Sequence, residues 1–151
     1  MKRTRIYSVS FTDIAVTVAQ DFFQIEAVTN DVVLHAVYIS QNSDVADAMA
    51  ENLTIRIRRV TDVLTNVTAE VNLDKDNGAA LADLNVNDTT PLTTGAETIH
   101  VECWNIAMPW IYLPTPELRP IIPADDCITV NLVSAPADEL TVSGTLYFEE
   151  T

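Results

Sequence analysis

Glycine is nearly absent from this sequence: Gly78, Gly95 and Gly144 are the only three in 151 residues. Tight two-residue hairpins draw on glycine for positive φ, so turns here must rely on Asp, Asn, Thr and Pro in longer connections. Basic residues are scarce as well, eight Lys and Arg against 22 Asp and Glu, for a formal net charge of −14. Such a surface repels phosphate backbones and anionic lipid, which argues against nucleic acid or a membrane as a direct partner. No apolar run approaches the roughly 20 residues that span a bilayer. The N-terminus starts with basic residues, but Ser8, Ser10, Thr12 and Asp13 interrupt any apolar centre, so no secretion signal is read.

Cysteine is limited to Cys103 and Cys127. Two thiols in such a chain are expected to be free buried side chains, with one disulfide as the other possibility. Three Asn-x-Thr sequons, at Asn52, Asn66 and Asn87, carry no meaning without a secretory route. Only His35 and His100 are available as imidazole bases, and neither stands beside a nucleophile in a recognisable motif. Gly-x-Ser-x-Gly, glycine-rich phosphate loops and His-Glu-x-x-His are all missing. Asp74-Lys-Asp-Asn-Gly78 has the look of a calcium loop, but the glycine comes one position early and no closing glutamate follows. Asp125-Asp126 and Glu149-Glu150 are adjacent carboxylates that face opposite ways on an extended chain, and read as solvated strand ends. The expectation is a protein that is not an enzyme and that carries no cofactor or metal.

What is present is alternation of period two. Leu140, Val142, Gly144, Leu146 and Phe148 point one way while Thr141, Ser143, Thr145, Tyr147 and Glu149 point the other. Ile128, Val130 and Leu132, and likewise Leu53, Ile55 and Ile57, repeat the pattern. Val32 to Ile39 is apolar on both faces apart from His35 and reads as a central strand covered on each side. Tyr7–Phe11, Ile14–Val18, Phe22–Glu26 and Thr98–Ile106 complete a set of about eight strands, with one short helical turn near 44–51. A length of 151 residues and 48% hydrophobic content suit a single domain over 1–151. The fold class expected is all-β, a jelly-roll-like β-sandwich whose long crossings suit the shortage of glycine. Residues 1–6 read as a basic N-terminal arm. Residues 74–97 read as a long loop, in a connection with one possible strand at Val67–Leu73.

Five of the seven prolines fall between Pro109 and Pro123, in an apolar ribbon over residues 108–123 that carries Trp110 and Tyr112. Each proline removes a backbone donor, so the ribbon must run extended with unpaired backbone, at an edge or between subunits. The positive charges are also unevenly placed: Lys2, Arg3, Arg5, Arg56, Arg58 and Arg59 lie in the first 60 residues, leaving Lys75 and Arg119 beyond. Arg56 and Arg58 share one strand face about 7 Å apart and must meet carboxylates, either within the subunit or on an acidic neighbour. Trp104, Trp110 and Tyr112 read as core or edge cover, or as an interface or ligand platform.

Three stretches together resemble a known class. They are Ala15–Glu26; Leu34–Ser43 with Leu53–Arg59; and Trp104 through the proline ribbon to Ala135–Glu150. They are similar to the capsid decoration, or cement, proteins of tailed bacteriophages, in general pattern and over most of the chain outside 61–97. The resemblance implies a virion protein, made in the host bacterial cytoplasm, that binds the outer capsid surface. It implies a homotrimer that bridges capsomers of the major capsid protein. A subunit of this length has a radius of about 15 Å, small enough to sit between capsomers. On this reading Lys2, Arg3, Arg5, Arg56, Arg58, Arg59, Trp110, Tyr112 and Arg119 are the expected subunit or capsid contacts. The alternative is a carbohydrate-binding β-sandwich module of a virion or tail structure, stacking sugars on Trp104, Trp110 or Tyr112.

Overall fold

A computed structural model describes residues 5–43, 51–64 and 68–151. The strands are β1 (Arg5–Val16), β2 (Gln20–Glu26), β3 (Val32–Gln41), β4 (Asn52–Val60), β5 (Val71–Asn72), β6 (Asp83–Asp88), β7 (Glu97–Asn105), β8 (Trp110–Tyr112), β9 (Ile121–Ile122), β10 (Cys127–Leu132) and β11 (Leu140–Glu150). A 3₁₀ turn, Pro116–Leu118, lies between β8 and β9. They form two antiparallel sheets, one ordered β5-β1-β11-β3-β8 with β9 also on β3, the other β6-β2-β10-β4-β7.

The connectivity is that of a jelly roll. With β5 and β6 set aside and β8 and β9 taken as one interrupted strand, eight strands remain. The first, eighth, third and sixth share one sheet, and the second, seventh, fourth and fifth share the other. The alternation read from β4, β10 and β11 is the alternation observed, with Leu53, Ile55, Ile57, Ile128, Val130, Leu132, Val142, Leu146 and Phe148 all in the core between the sheets. Aromatic rings fill its centre, Tyr7 stacked on Phe148 at 5.3 Å and Phe11 against Phe23 at 5.1 Å.

Several expectations needed correction. Tyr7–Phe11 and Ile14–Val18 are one strand, β1, with a register irregularity between Phe11 and Ile14 where Asp13 takes φ 53°. β3 is central within its sheet, but its outer face is only half covered, with Tyr38 and Ser40 exposed. The long loop over 74–97 contains β6, which extends the second sheet beyond β2. Its Asp- and Asn-rich pattern hid it, because the outer face it joins is itself polar: Asn85 donates to Gln24 Oε1 at 3.2 Å. Glu150 is buried rather than solvated, its Oε1 accepting from the Leu81 and Ala82 amides at 2.7 and 2.6 Å. The helical turn near 44–51, apart from Glu51, lies outside the described residues, as do Lys2 and Arg3 of the basic arm.

Candidate interaction surface

The proline ribbon is an edge strand in two pieces. Trp110, Ile111 and Tyr112 pair with Ile39, Tyr38 and Val37, and Ile121 and Ile122 pair with Val33 and Val32. The expected unpaired run is thus paired at Trp110–Tyr112 and at Ile121–Ile122. Pro109, Pro114, Pro116, Pro120 and Pro123 all lie outside β8 and β9, so no ladder donor is lost to a proline ring. Between the two pieces the Pro116–Leu118 turn steps away from β3, and the Pro120 carbonyl still accepts the Leu34 amide at 3.0 Å.

The alternation of β8 decides which side chains face out. Trp110 and Tyr112 turn inward, 4% and 8% exposed, with stacked rings 6.3 Å apart. The Trp110 indole donates to Glu102 Oε2 at 3.1 Å, and the His100 ring lies 4.8 Å from Tyr112. Both aromatics therefore belong to this chain's own core and offer no ring to a neighbour or a sugar. Trp104 is likewise buried, its indole donating to the Met108 carbonyl at 2.7 Å. The outward residues of the ribbon form the surface instead. Met108, Ile111, Leu113, Leu118 and Ile121 are all exposed, Ile111 by 51% and Leu118 by 71%. Five large apolar groups along one short edge exceed the scattered exposure usual on a soluble surface.

Beside this row the outer face of the β1–β11–β3 sheet forms a shallow groove of about 380 Å³, lined by hydroxyls of Ser10, Thr12, Ser40, Ser143 and Thr145 with Tyr38, Pro109 and Ile111. In a chain so acidic, these lining side chains carry no charge.

The arginines go elsewhere. Arg58 is 4% exposed on the outer face of the β6–β2–β10–β4–β7 sheet. It lies 3.5 Å from Asp21 and donates to the Leu92 carbonyl at 2.8 Å. Burial lowers its pKa, and the Asp21 charge opposes that shift. Asp21 has no exposed surface and accepts from Gln24, Asn131 and the Leu92 amide at 2.9, 2.8 and 2.9 Å. Burial raises its pKa against the pull of those donors and of Arg58. Arg56 joins the same network by donating to Asn131 at 2.9 Å. Arg59 reaches across the sandwich edge to the Ile121 carbonyl at 3.3 Å, with Glu97 at 3.7 Å. Arg5 opens β1 exposed, opposite Glu150, and Arg119 sits half-buried after the 3₁₀ turn. The acidic neighbour that Arg58 requires is thus Asp21 of the same chain, so Arg58 joins Trp110 and Tyr112 in having no free surface.

This network was not legible beforehand, because Asp21, Gln24, Thr129 and Asn131 look like the solvent face of ordinary strands. Their cover is a strap over 61–64 and 89–96 that lies across that face. The Leu64 amide donates to Glu26 Oε2 at 2.8 Å, and Leu64 and Leu92 close over Val60 and Cys127. Gly95 has φ 60° in that strap, close against Thr61, where any other residue would be strained. Both cysteines are free, Cys127 buried beneath the strap with its thiol pKa pushed up by burial, and Cys103 exposed on β7.

No family model, curated protein or solved structure matches this chain.

Proposed function

We propose that this protein is a structural virion component, a decoration protein that binds the outer surface of an assembled bacteriophage capsid as a homotrimer. On this reading it bridges neighbouring subunits of the major capsid protein. The observation that carries the reading is the set of exposed apolar side chains along the ribbon, Ile111 and Ile121 on its paired strands with Met108, Leu113 and Leu118 in the segments beside them. Apolar side chains on a paired backbone lose little conformational entropy on docking and remove their surface from water when a partner covers them. The jelly-roll connectivity and the sequence resemblance to decoration proteins support the same reading. The mechanism is added interface rather than turnover: a protein that binds the assembled lattice and not its dissociated subunits stabilises the shell by mass action.

The test is copurification with intact capsids in stoichiometric amount and location outside the shell by electron microscopy. Leu118→Asp with Ile121→Asp places two charges on exposed positions, so the fold should persist while capsid binding is lost. Sedimentation as a monomer without affinity for capsids removes the proposal. A second reading, a module for neutral carbohydrate, rests on the hydroxyl-lined groove beside Tyr38 and Ile111. A flat response over a broad glycan array sets it aside.

A further inference from the structure

We propose that the free edge of β7 is an acceptor site for an extended, basic strand of another protein. Among the described residues, β7 is the last strand of its sheet, paired with β4 on one side only. The hydrogen-bond phase of that pairing identifies the groups left open. The Ile106 amide donates to the Glu51 carbonyl at 3.1 Å, so Ile106 is turned toward the β4 side. In an antiparallel ladder such residues alternate, which turns Trp104, Glu102 and His100 toward β4 and points the N–H and C=O groups of Val101 and Cys103 at the open edge. Thr54 confirms the phase. It lies opposite Cys103, and its carbonyl accepts from Val133 on the far side of β4.

The devices that usually blunt such an edge are few here. Glu97–Asn105 contains no proline and no lysine. The one irregularity skips Ile99 and leaves His100 to Asn105 in continuous register with β4. Val101, 56% exposed, and the exposed Cys103 present their side chains on the outer face of the sheet. Main-chain groups plus alternate side chains are what strand addition uses for affinity and selectivity.

Charge selects the occupant. With a second copy, the antiparallel register centred on Cys103 sets Val101 opposite Asn105, whose carbonyl already accepts from the Met108 amide at 2.9 Å. A second copy satisfies all four open groups instead with Val101 opposite Cys103 of the partner, a register centred on Glu102. Two Glu102 carboxylates would then face each other directly, between chains each of net charge −14. A strand with lysine or arginine opposite Glu102 and apolar residues opposite Val101 and Cys103 has no such conflict. Beside their own neighbours Arg59 and His100, Glu97 and Glu102 keep side-chain exposures of 73% and 47%, so a basic partner can still reach both. This inference needs no capsid and stands or falls separately from the function proposed above.

The test uses a short alternating Val-Lys peptide and its Val-Glu counterpart at physiological ionic strength, read by amide hydrogen exchange and by titration. The Val-Lys peptide should slow exchange at Val101 and Cys103 by about tenfold or more, and the Val-Glu peptide should not. Val101→Pro removes an N–H that β4 does not use, so it should abolish binding while the protein stays folded. Cys103→Pro provides the same test at the second open position. Glu102→Pro, which removes a bond to β4, should instead destabilise the protein. Binding that survives both edge prolines would be diffuse attraction to an acidic surface and would overturn the proposal. So would unprotected amides, or a dimer lost in Val101→Pro with no response to peptide, which would make the occupant a second copy.

Discussion

Gly144 is the one position in β11 where the inward row carries no side chain, and replacing it with alanine tests whether the packing around it is as tight as the distances indicate. A Cβ there would sit 2.9 and 3.1 Å from the Phe11 ring and 3.1 Å from the Tyr38 carbonyl oxygen. The ring has little room to retreat, being packed on Phe23 at 5.1 Å and Phe22 at 6.0 Å, and the carbonyl belongs to the β3 ladder. Two effects compete. Alanine in place of glycine in a strand interior is favourable by about 0.5 to 1 kcal/mol. Overpacking a filled core costs about 1 to 3 kcal/mol, so Gly144→Ala should be less stable by about 1 to 2 kcal/mol. For a chain of this size that is a Tm lower by roughly 2 to 8 °C. Urea unfolding followed by tryptophan fluorescence measures it, since Trp104 and Trp110 are both buried in the native state. Phe11→Leu creates the missing space, so the double variant should lose less than the sum of the two single changes, by about 0.5 kcal/mol or more. A Gly144→Ala protein as stable as the parent, or strict additivity in the double variant, refutes the argument.

The buried network and the two thiols give further predictions. Arg58→Met leaves the Asp21 carboxylate buried without its cation and should cost about 3 to 5 kcal/mol at neutral pH. Asp21 has a raised folded pKa, so in the window above its ordinary value the folded state holds more protons than the unfolded state. Its contribution to stability therefore improves as pH falls through that window. Removing Arg58 raises that pKa further, so the loss in Arg58→Met should shrink on mild acidification, and an equal loss in urea titrations at neutral and mildly acidic pH would contradict this. A maleimide reagent should modify the exposed Cys103 readily and Cys127 only after unfolding, because Cys127 is buried and its thiol pKa is pushed up. Modification of both thiols at equal rates in the native protein would show that the strap opens readily.

Strand existence was legible in the sequence because period-two patterns report one buried face directly, as in β11, where buried and half-buried residues alternate from Leu140 to Glu150. The pattern fails wherever a face is covered by something other than the opposite sheet. β10 reads as half-buried yet is buried throughout, as is β2 beside it, since the strap closes over Asp21 and Glu26 and β6 holds Gln24. β6 went unread because its buried contacts on that face are polar. The ribbon was correctly placed at an edge by its prolines, but which of its residues face outward depends on β8 register. Trp110 and Tyr112 drew notice by size, whereas burial assigns the surface to Met108, Ile111, Leu113, Leu118 and Ile121.

The connectivity brings both proposed surfaces into one stretch of chain. β7 ends one sheet, and β8 with β9 ends the other at the same side of the sandwich, so residues 97–122 supply both neighbouring edges. The two edges are fastened to each other by Glu102 to the Trp110 indole, His100 against Tyr112, and Arg59 to the Ile121 carbonyl. On the opposite side, the connection between β4 and β7 adds β5 and β6 outside β1 and β2. Glu70 and Glu150 bind the amides of Ala80, Leu81 and Ala82 there. That connection lies within 61–97, so one long connection extends both sheets on the side away from β7 and β8. The side left unextended carries the apolar ribbon and the open β7 groups, and Trp110 makes their coupling testable. Trp110→Phe keeps the aromatic packing and removes the donor to Glu102, leaving His100 as that carboxylate's partner among the described residues. The expected outcome is a folded protein with faster amide exchange at His100 to Cys103 and at Ile111, and unchanged exchange in β1 and β6. Faster exchange spread evenly over both sheets would mean that the two edges are not fastened as a unit.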